Sequence, residues 1–289
     1  MSDLRRFLLV DGHSIAFRAY YALPSTLTDD AGQPVQAIYG FLSILFNQIA
    51  TLQPELVAIV WDEGRPFREE FFSEYKTGRQ DIDPDVSRQV ARLQPVLAAM
   101  RIPLLSKAGY EADDVIATLA RQAHETGGFE TIVLSGDRDL FGIIGPRTHV
   151  LYPTRSTRDA EWYDTERLHQ RWGIAPEQVA DWKALVGDSS DNIPGVRGIG
   201  EKSATKLLQQ FPSLEAIYAA LDEIEPTRVR NALRAGHEQA QLSLRLATLV
   251  ADVPGIQFDP DACHFAYDPS EVEHQFDQLG FNSLRTRLP

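Results

Sequence analysis

Short apolar runs that end at an acidic residue recur along the first half of the chain. The three clearest pairs of run and acid are Phe7–Val10 with Asp11, Leu56–Trp61 with Asp62, and Thr131–Gly136 with Asp137. Runs of β-branched and aliphatic residues of this length are typical of buried strands in a parallel sheet. Ile102–Leu105 and His149–Tyr152 predict two further strands.

Apolar residues between these runs recur at three- and four-residue intervals. One set extends from Ile38 to Ile49 and another from Val86 to Met100. This spacing predicts amphipathic helices. Strands that alternate with helices predict an α/β fold with a largely parallel sheet flanked by helices.

After about Arg155 the pattern changes to short helical stretches separated by Gly, Pro and Ser. Asp164 suits the start of a helix that Gly173 ends, and Pro176 and Gly187 suit the ends of the next helix. The remaining predicted helices are Glu201–Phe211, Ser213–Leu221, Arg228–Ala235, Glu238–Leu249 and Ser270–Leu279. No strong strand is expected in this part.

This change predicts two domains in the 289-residue chain, an α/β domain over residues 1–165 and a helical domain over residues 166–289. With 43% hydrophobic and 24% charged residues, the composition is typical of a soluble globular protein. The apolar runs are too short to span a bilayer, and the N-terminus lacks a secretory pattern. Cys263 is the only cysteine, so a reducing cytoplasm is the expected location.

Carboxylates gather where the predicted strands end. Ligands of a parallel α/β sheet bind outside the carboxyl ends of its strands. An Asp at one strand end, or an acid in the first turn of one helix, has an ordinary structural explanation. Nine acids converge in this prediction, which is harder to explain in that way: Asp11, Asp62, Glu111, Asp113, Asp114, Asp137, Asp139, Asp188 and Asp191.

Nine packed carboxylates would raise one another's pKa values unless cations were bound. Oxygen donors without neighbouring His or Cys favour Mg²⁺ or Mn²⁺ over zinc. Two such ions about 4 Å apart would stabilise the attacking and leaving oxygens of a phosphoryl displacement. The pattern therefore predicts a metal-dependent nuclease, and the nine acids account for most of the net charge of −13.

A glycine-rich stretch, NIPGVRGIGEKSA over residues 192–204, lies between two predicted helices. Its spacing differs from the dinucleotide and P-loop fingerprints. Backbone N–H groups around Gly195, Gly198 and Gly200 suit a phosphate, and Lys202 and Lys206 lie beside them. The stretch looks like a helix-hairpin-helix, which binds a nucleic-acid backbone without reading sequence. A tight turn without a partner is the alternative.

The segment RPFREEFFSEYKTGR, residues 65–79, mixes cations with aromatic rings. Such a mixture suits a nucleic-acid strand that passes stacking and phosphate-binding groups. Its three glutamates make an ordinary amphipathic helix equally compatible with the composition. Its position directly after the strand that ends at Asp62 favours the nucleic-acid interpretation.

Five motifs together resemble the 5′ nuclease domain of bacterial DNA polymerase I, a member of the flap endonuclease superfamily. They are LLVDGHSIAFRAYYAL, AIVWDEG with FREEFFSEYKTGR, GYEADDVIATLA, VLSGDRDL and LVGDSSDNIPGVRGIGEKSA. The resemblance extends from about Arg5 to Leu284. It implies a PIN-like or resolvase-like fold, two Mg²⁺ ions (with Mn²⁺ as a substitute) on the nine acids, and 5′→3′ exonuclease and 5′-flap endonuclease activity. It further implies removal of RNA primers in Okazaki fragment processing and in repair.

The same resemblance implies roles for several other residues. A helical arch would carry Tyr75, Lys76 and Arg79, and Arg18 would contact the phosphate near the 5′ end. The hairpin would bind the duplex backbone, often with a K⁺ ion. The implied partners are flapped, nicked or gapped DNA, RNA primer–DNA hybrids and a linked or separate polymerase, with no membrane. The implied location is the nucleoid of a bacterial cytoplasm.

Two features depart from the resemblance or leave it open. Gly142 stands where members often carry Gln. No polymerase region precedes Pro289, so an excised domain and a stand-alone nuclease are both compatible with the sequence.

A metal-dependent phosphatase that uses Asp137 and Asp139 is an alternative hypothesis, but it would leave the hairpin unexplained. A DNA-binding module without catalysis is a third hypothesis. A serine hydrolase is disfavoured because no Gly-x-Ser-x-Gly motif surrounds Ser189 or Ser190.

Overall fold

The computed structural model describes residues 4–78, 83–154 and 160–289. Its strands are β1 Arg5–Asp11, β2 Leu56–Val60, β3 Leu104–Leu105, β4 Phe129–Leu134, β5 Thr148–Pro153 and β6 Ala160–Tyr163. Its α-helices are α1 Gly12–Ala22, α2 Gln36–Leu52, α3 Arg68–Phe71, α4 Pro84–Ala99, α5 Ala112–Thr126, α6 Thr165–Trp172, α7 Val179–Val186, α8 Glu201–Gln210, α9 Leu214–Ala219, α10 Thr227–Ala235, α11 His237–Ala247, α12 Pro269–Leu279 and α13 Asn282–Arg285. Within the described ranges, every helix is too short or too polar to cross a membrane.

The strands form one sheet in the order β3-β2-β1-β4-β5-β6. Neighbours from β3 to β5 are parallel, which confirms the predicted largely parallel sheet. β6 is antiparallel to β5 and was not predicted. This strand has only four residues and exposes Trp162, so it lacks the apolar run by which a buried strand is recognised.

Each face of the sheet has its own core. Phe7 and Leu9 point into a cluster that includes α5 and continues among α7 to α11. Leu8 and Val10 point to the other face, which α2 and α4 cover. The alternation follows from the two-residue period of a strand, and burial on both faces explains the uninterrupted apolar run.

The last helices return to the first half of the chain. Phe276 of α12 and Leu284 of α13 are fully buried in the cluster of α2 and α4. Phe276 packs 6.2 Å, centroid to centroid, from Phe46. The domain bounds at residue 165 stay a prediction, and these contacts place α12 and α13 on the first domain rather than among the C-terminal helices.

The topology brings several chain segments to one edge. β1, β2 and β4 are parallel, so Asp11 and the residues that follow β2 and β4 meet at their carboxyl ends. Helix α1 begins directly at Gly12, where a Cβ would lie 2.6 Å from the ring of Trp61. Glycine therefore allows α1 to start against the end of β2, which fixes Asp11 at the N-terminus of that helix.

Candidate active site

A cavity of about 400 Å³ opens at this edge of the sheet. Seven of the nine predicted acids line it: Asp11, Asp62, Glu111, Asp113, Asp137, Asp139 and Asp188. Lys76 and His13 also line it. The structure thus brings together side chains that are up to 177 residues apart in sequence, from Asp11 to Asp188.

Three of the acids form the tightest group. Asp113, in the first turn of α5, and Asp137 and Asp139, after β4, each offer an oxygen, and these oxygens lie within 4.8 Å of one another. Burial and the charge of Asp137 raise the pKa of Asp113, and burial and Asp137 raise the pKa of Asp139 to about 6. Repulsion among oxygen donors is what a hard divalent cation relieves, so these residues fit Mg²⁺ or Mn²⁺.

Two serines connect the ends of β1 and β4. Ser135 donates from its hydroxyl to Oδ2 of Asp11 at 2.6 Å and accepts from the amide of Asp137 at 2.9 Å. The hydroxyl of Ser14 accepts from the amide of Gly136 at 2.9 Å. Burial raises the pKa of Asp11 to about 7. Neither serine was predicted to belong to the site, although each stands within three residues of a predicted metal ligand.

Asp62 lies at the rim of the cavity between α1 and α5. Its Oδ1 accepts from the amide of Ala112 at 2.9 Å, and its Oδ2 lies 2.9 Å from Nδ1 of His13. Although burial opposes ionisation, the contacts with His13 and Ala112 lower the pKa of Asp62. Asp62 is therefore held as a carboxylate that faces the other acids.

Glu111 is the N-cap of α5 and completes a capping box with Asp114. Its Oε2 accepts from the hydroxyl of Tyr75 at 3.0 Å and from Nη1 of Arg68 at 2.9 Å. Its Oε1 accepts from Nζ of Lys76. The carboxylate thus receives donors from three residues of the cationic and aromatic segment 65–79.

The two remaining acids do not line the cavity. Asp114 is fully buried, and its two oxygens accept from Arg68 at 2.7 and 2.8 Å. Asp191 is 5% exposed, and its Oδ2 lies 3.8 Å from Nζ of Lys183. Their predicted role as metal ligands stays a prediction, and the structure gives Asp114 a different partner.

A buried ammonium group lies among the acids. Lys183 of α7 donates to Asp139 and lies 2.9 Å from Oδ2 of Asp188. Burial opposes its charge, but Asp139 and Asp191 raise the pKa of Lys183. Despite burial, hydrogen bonds from Ser190 and Lys183 lower the pKa of Asp188 to about 2. Lys183 was not predicted as part of the site, because a single lysine in a mostly apolar helix gives no sign of its partners.

The predicted arch residues have separate placements. Lys76 lines the cavity, and Tyr75 is 5% exposed with its hydroxyl on Glu111. Arg79 lies outside the described residues. Arg18 lines a neighbouring cavity, which shares Arg138 and Tyr152 with the acidic one. Their predicted roles in catalysis stay predictions.

The glycine-rich stretch forms a tight hairpin between α7 and α8. Gly195 has a φ of 62°, and a Cβ there would lie 2.4 Å from the amide nitrogen of Gly187. The Gly195 amide donates to Oγ of Ser243 in α11 at 3.0 Å. Gly198 and Gly200 are exposed. Lys202 and Lys206 of α8, also exposed, line a groove with Arg138, Arg171, Trp172 and Trp182.

Gly142 lies in the 3-10 helix Asp139–Ile143, beside the start of α7. A Cβ at this position would lie 3.8 Å from Cβ of Val179, an ordinary van der Waals contact. The fold therefore leaves room at Cβ for a larger residue.

Comparison with known proteins agrees with this geometry. Residues 6–173 match the N-terminal resolvase-like domain of the 5′-3′ exonucleases, and residues 174–271 match their C-terminal SAM fold. The chain belongs to the 5′-3′ exonuclease family. Membership confirms the predicted family and fold class and identifies the chain as a nuclease.

Two curated relatives are bacterial polymerases. DNA polymerase I of Bacillus caldotenax is 41% identical over 98% of this chain and 32% of that protein. DNA polymerase I of Bacillus subtilis (strain 168) is 40% identical over all of this chain and 33% of that protein. This 5′-3′ exonuclease chain therefore spans about a third of the length of these relatives.

A solved structure has the same fold as this chain. The flap endonuclease of bacteriophage T5, in a pseudo-enzyme-product complex with DNA and metal ions, superimposes with a TM-score of 0.68 at 19% identity. The match covers 94% of this chain and 98% of that chain. Both halves of the chain are therefore arranged as in a known nuclease fold.

Proposed function

We propose that the protein is a Mg²⁺-dependent, structure-specific 5′ nuclease with 5′→3′ exonuclease and 5′-flap endonuclease activity. The observation that carries the proposal is the cavity in which seven predicted acids meet Lys76 at the carboxyl edge of the sheet. A phosphatase would need only the acids. The hairpin with Gly195 and the exposed Lys202 and Lys206 supports a duplex substrate.

The acidic residues would hold two divalent ions. Asp113, Asp137 and Asp139 form the closest group of ligands, and Asp11 and Glu111 face the same cavity. When bound, the ions would polarise the phosphodiester and supply an activated water. Raised pKa values on Asp11 and Asp139 support this assignment, because cations would keep both carboxylates charged at neutral pH.

The chain's own cations would orient the phosphate. Lys76 donates to Glu111, and its ammonium would be within reach of a phosphate that enters the cavity. There it would stabilise the negative charge that develops on the transferring group. Arg18 and Arg138, at the adjoining cavity, would hold the phosphate on the 5′ side. Tyr75 would act through Glu111.

We further propose that the chain processes RNA primers on DNA in Okazaki fragment maturation and repair. The 40% identity to DNA polymerase I supports a linked or separate polymerase as partner and the bacterial nucleoid as location. Exposed backbone at Gly198 and Gly200 supports duplex binding at the hairpin, for which we propose a K⁺ ion. Comparing duplex affinity in K⁺ and Na⁺ tests that ion.

The deciding experiment is cleavage of a 5′-labelled flap duplex in Mg²⁺. We expect short 5′ products, none in EDTA, and loss of cleavage with retained duplex binding in Asp137→Ala. Asp252→Ala, which changes an exposed acid away from the cavity, is the matched control. An intact flap after long incubation of the folded protein with Mg²⁺ or Mn²⁺ would overturn the proposal.

A further inference from the structure

Arg68 is the largest fully buried side chain in the described residues, and it is charged. It begins α3, in the segment that leaves β2 toward Lys76. Burying an unpaired guanidinium is strongly unfavourable, so such a residue persists only when its charge and its donors are all matched. The contacts of Arg68 meet this requirement in full.

Every N–H of the guanidinium has an acceptor. Nε donates to the carbonyl of Leu246 at 2.9 Å, and Nη2 donates to the carbonyl of Thr248 at 2.8 Å and to Oδ1 of Asp114 at 2.8 Å. Nη1 donates to Oδ2 of Asp114 at 2.7 Å and to Oε2 of Glu111 at 2.9 Å. Arginine alone offers five donors in one plane.

These acceptors belong to two helix ends that face each other. Leu246 and Thr248 lie at the C-terminus of α11, where the last carbonyls lack helical partners and attract a cation. Glu111 and Asp114 form the N-terminal box of α5. Helix α11 also carries Ser243, which accepts from Gly195 of the hairpin. Arg68 therefore joins the C-terminal helices to the N-terminus of the helix that presents Glu111 and Asp113.

We propose that Arg68 is a positioning residue for the metal site, which it serves by fixing Glu111 and the first turn of α5. The inference rests on the proposed function. Arg68 and Tyr75 together occupy Oε2 of Glu111, which leaves Oε1 on the side of Lys76 and the cavity. Residues that orient metal ligands by hydrogen bonds alter metal affinity by about 10- to 100-fold when they are changed.

The test is Mn²⁺ binding to the full chain without DNA, measured by calorimetry or by the electron paramagnetic resonance of free Mn²⁺. Arg68→Lys keeps the charge but loses the planar fork. We expect its Mn²⁺ Kd to rise about 10- to 100-fold while its circular dichroism remains that of a folded protein. Arg88→Lys, on the exposed side of α4, is the matched control and should bind as the unaltered protein does.

A second variant guards against a failure to fold. Arg68→Gln keeps two amide donors without the charge and leaves every predicted metal ligand unchanged, and it should show the same loss of Mn²⁺ affinity. A folded Arg68→Lys variant with unchanged Kd would overturn the inference. So would unfolding of both variants in saturating Mn²⁺, which would make Arg68 a residue of stability alone.

The unaltered protein separates this inference from the proposed function. If it binds Mn²⁺ and cleaves the flap while Arg68→Lys binds equally well, only the role of Arg68 fails. If the folded, unaltered protein binds no Mn²⁺ and leaves the flap intact, the proposed function fails and the inference with it. A raised Kd in the variant, with kcat reduced at saturating DNA and subsaturating Mn²⁺, supports both.

Discussion

Nζ of Lys183 lies 2.9 Å from Oδ2 of Asp188, inside the group of acids that we propose as metal ligands. The side chain of Lys183 is 8% exposed, and its ammonium also contacts Asp139. A fixed internal cation therefore neutralises part of the cluster and offsets some of the repulsion among the carboxylates that share the cavity.

Lys183→Met should destabilise the metal-free protein. The change leaves Asp139 and Asp188 without their cation, and losing a hydrogen bond to a charged group costs about 1.5–3 kcal/mol. Urea unfolding in EDTA measures the free energy of unfolding, and saturating Mg²⁺ should recover part of the loss. Lys206→Met, at an exposed position on α8, should leave that free energy within about 0.5 kcal/mol. Equal stability of the two variants in EDTA would contradict this account.

Asp11 and Asp139 should each contribute a loss of stability as the pH of the protein in EDTA rises from about 4 to about 7. Burial raises the pKa of Asp11 from 3.8 to about 7 and that of Asp139 from 3.8 to about 6. An acid with a raised folded-state pKa contributes stability below its unfolded pKa, and this contribution is lost as the pH rises through the folded one. Asp188, with a pKa of about 2, contributes with the opposite sign and only below about pH 4.

Unfolding midpoints in EDTA across this pH range test the prediction. Asp11→Asn should flatten the slope between pH 4 and pH 7, because the amide does not ionise. Mg²⁺ should flatten it in the unaltered protein, because bound cations stabilise the carboxylates. An identical slope for Asp11→Asn and the unaltered protein would refute the assignment to Asp11.

Asn192→Asp should slow cleavage through Lys76. Nδ2 of Asn192 donates to the carbonyls of Glu74 at 2.9 Å and Thr77 at 2.5 Å, on both sides of Lys76. Lys76 has a φ of 56°, and its amide donates to the carbonyl of Asp191 at 3.0 Å. A carboxylate at position 192 would repel both carbonyls and displace the ammonium, and misplacement of a catalytic group costs roughly 10- to 100-fold in rate.

Single-turnover cleavage of the flap measures this rate. The double variant with Lys76→Ala is the informative control, because two changes that act on one group are not additive. Asn192→Asp should therefore add little once Lys76 is absent. Full additivity of the two effects would show that Asn192 acts elsewhere.

Gly195→Ala should disrupt the hairpin. Gly195 has a left-handed backbone conformation, and a Cβ there would meet the backbone of Gly187 at 2.4 Å. The backbone segments around Gly187 and Gly195 would therefore have to separate. We expect a loss of about 1–3 kcal/mol in stability and weaker duplex binding, measured by fluorescence anisotropy. Gly145→Ala, where a Cβ meets open space, is the control for stability. Unchanged duplex affinity in a folded Gly195→Ala variant would remove the hairpin from DNA binding.

The sequence predicts the sheet because its central strands are buried on both faces. Phe7–Val10 is apolar at every position, and such a run is recognised without its neighbours. β6 lacks such an apolar run, because an edge strand buries little of its surface, and it is therefore not recognised from the sequence. Parallel strands place their carboxyl ends at one edge of the sheet, where the acids gather. The position of the cavity is therefore predictable from the topology.

The partners of the acids are not predictable in this way. Arg68 stands among glutamates and phenylalanines, a composition that equally suits an exposed amphipathic helix, and its acceptors are up to 180 residues away. Lys183 stands in a mostly apolar helix, where a snorkelling lysine is the ordinary expectation. These cations help to decide which of the nine acids face the cavity. Arg68, for example, donates to both carboxylate oxygens of Asp114, which does not line the cavity.

The return of α12 and α13 to the side of the sheet that α2 and α4 cover imposes an order on biosynthesis. The surface of α2 that carries Phe46 stays uncovered until Phe276 and Leu284 have left the ribosome. Nascent chains therefore expose a hydrophobic surface until late in translation. A recombinant fragment that stops after α6 would keep that surface bare and should aggregate. A catalytic unit transplanted into another protein therefore needs residues 269–285 as well as the sheet.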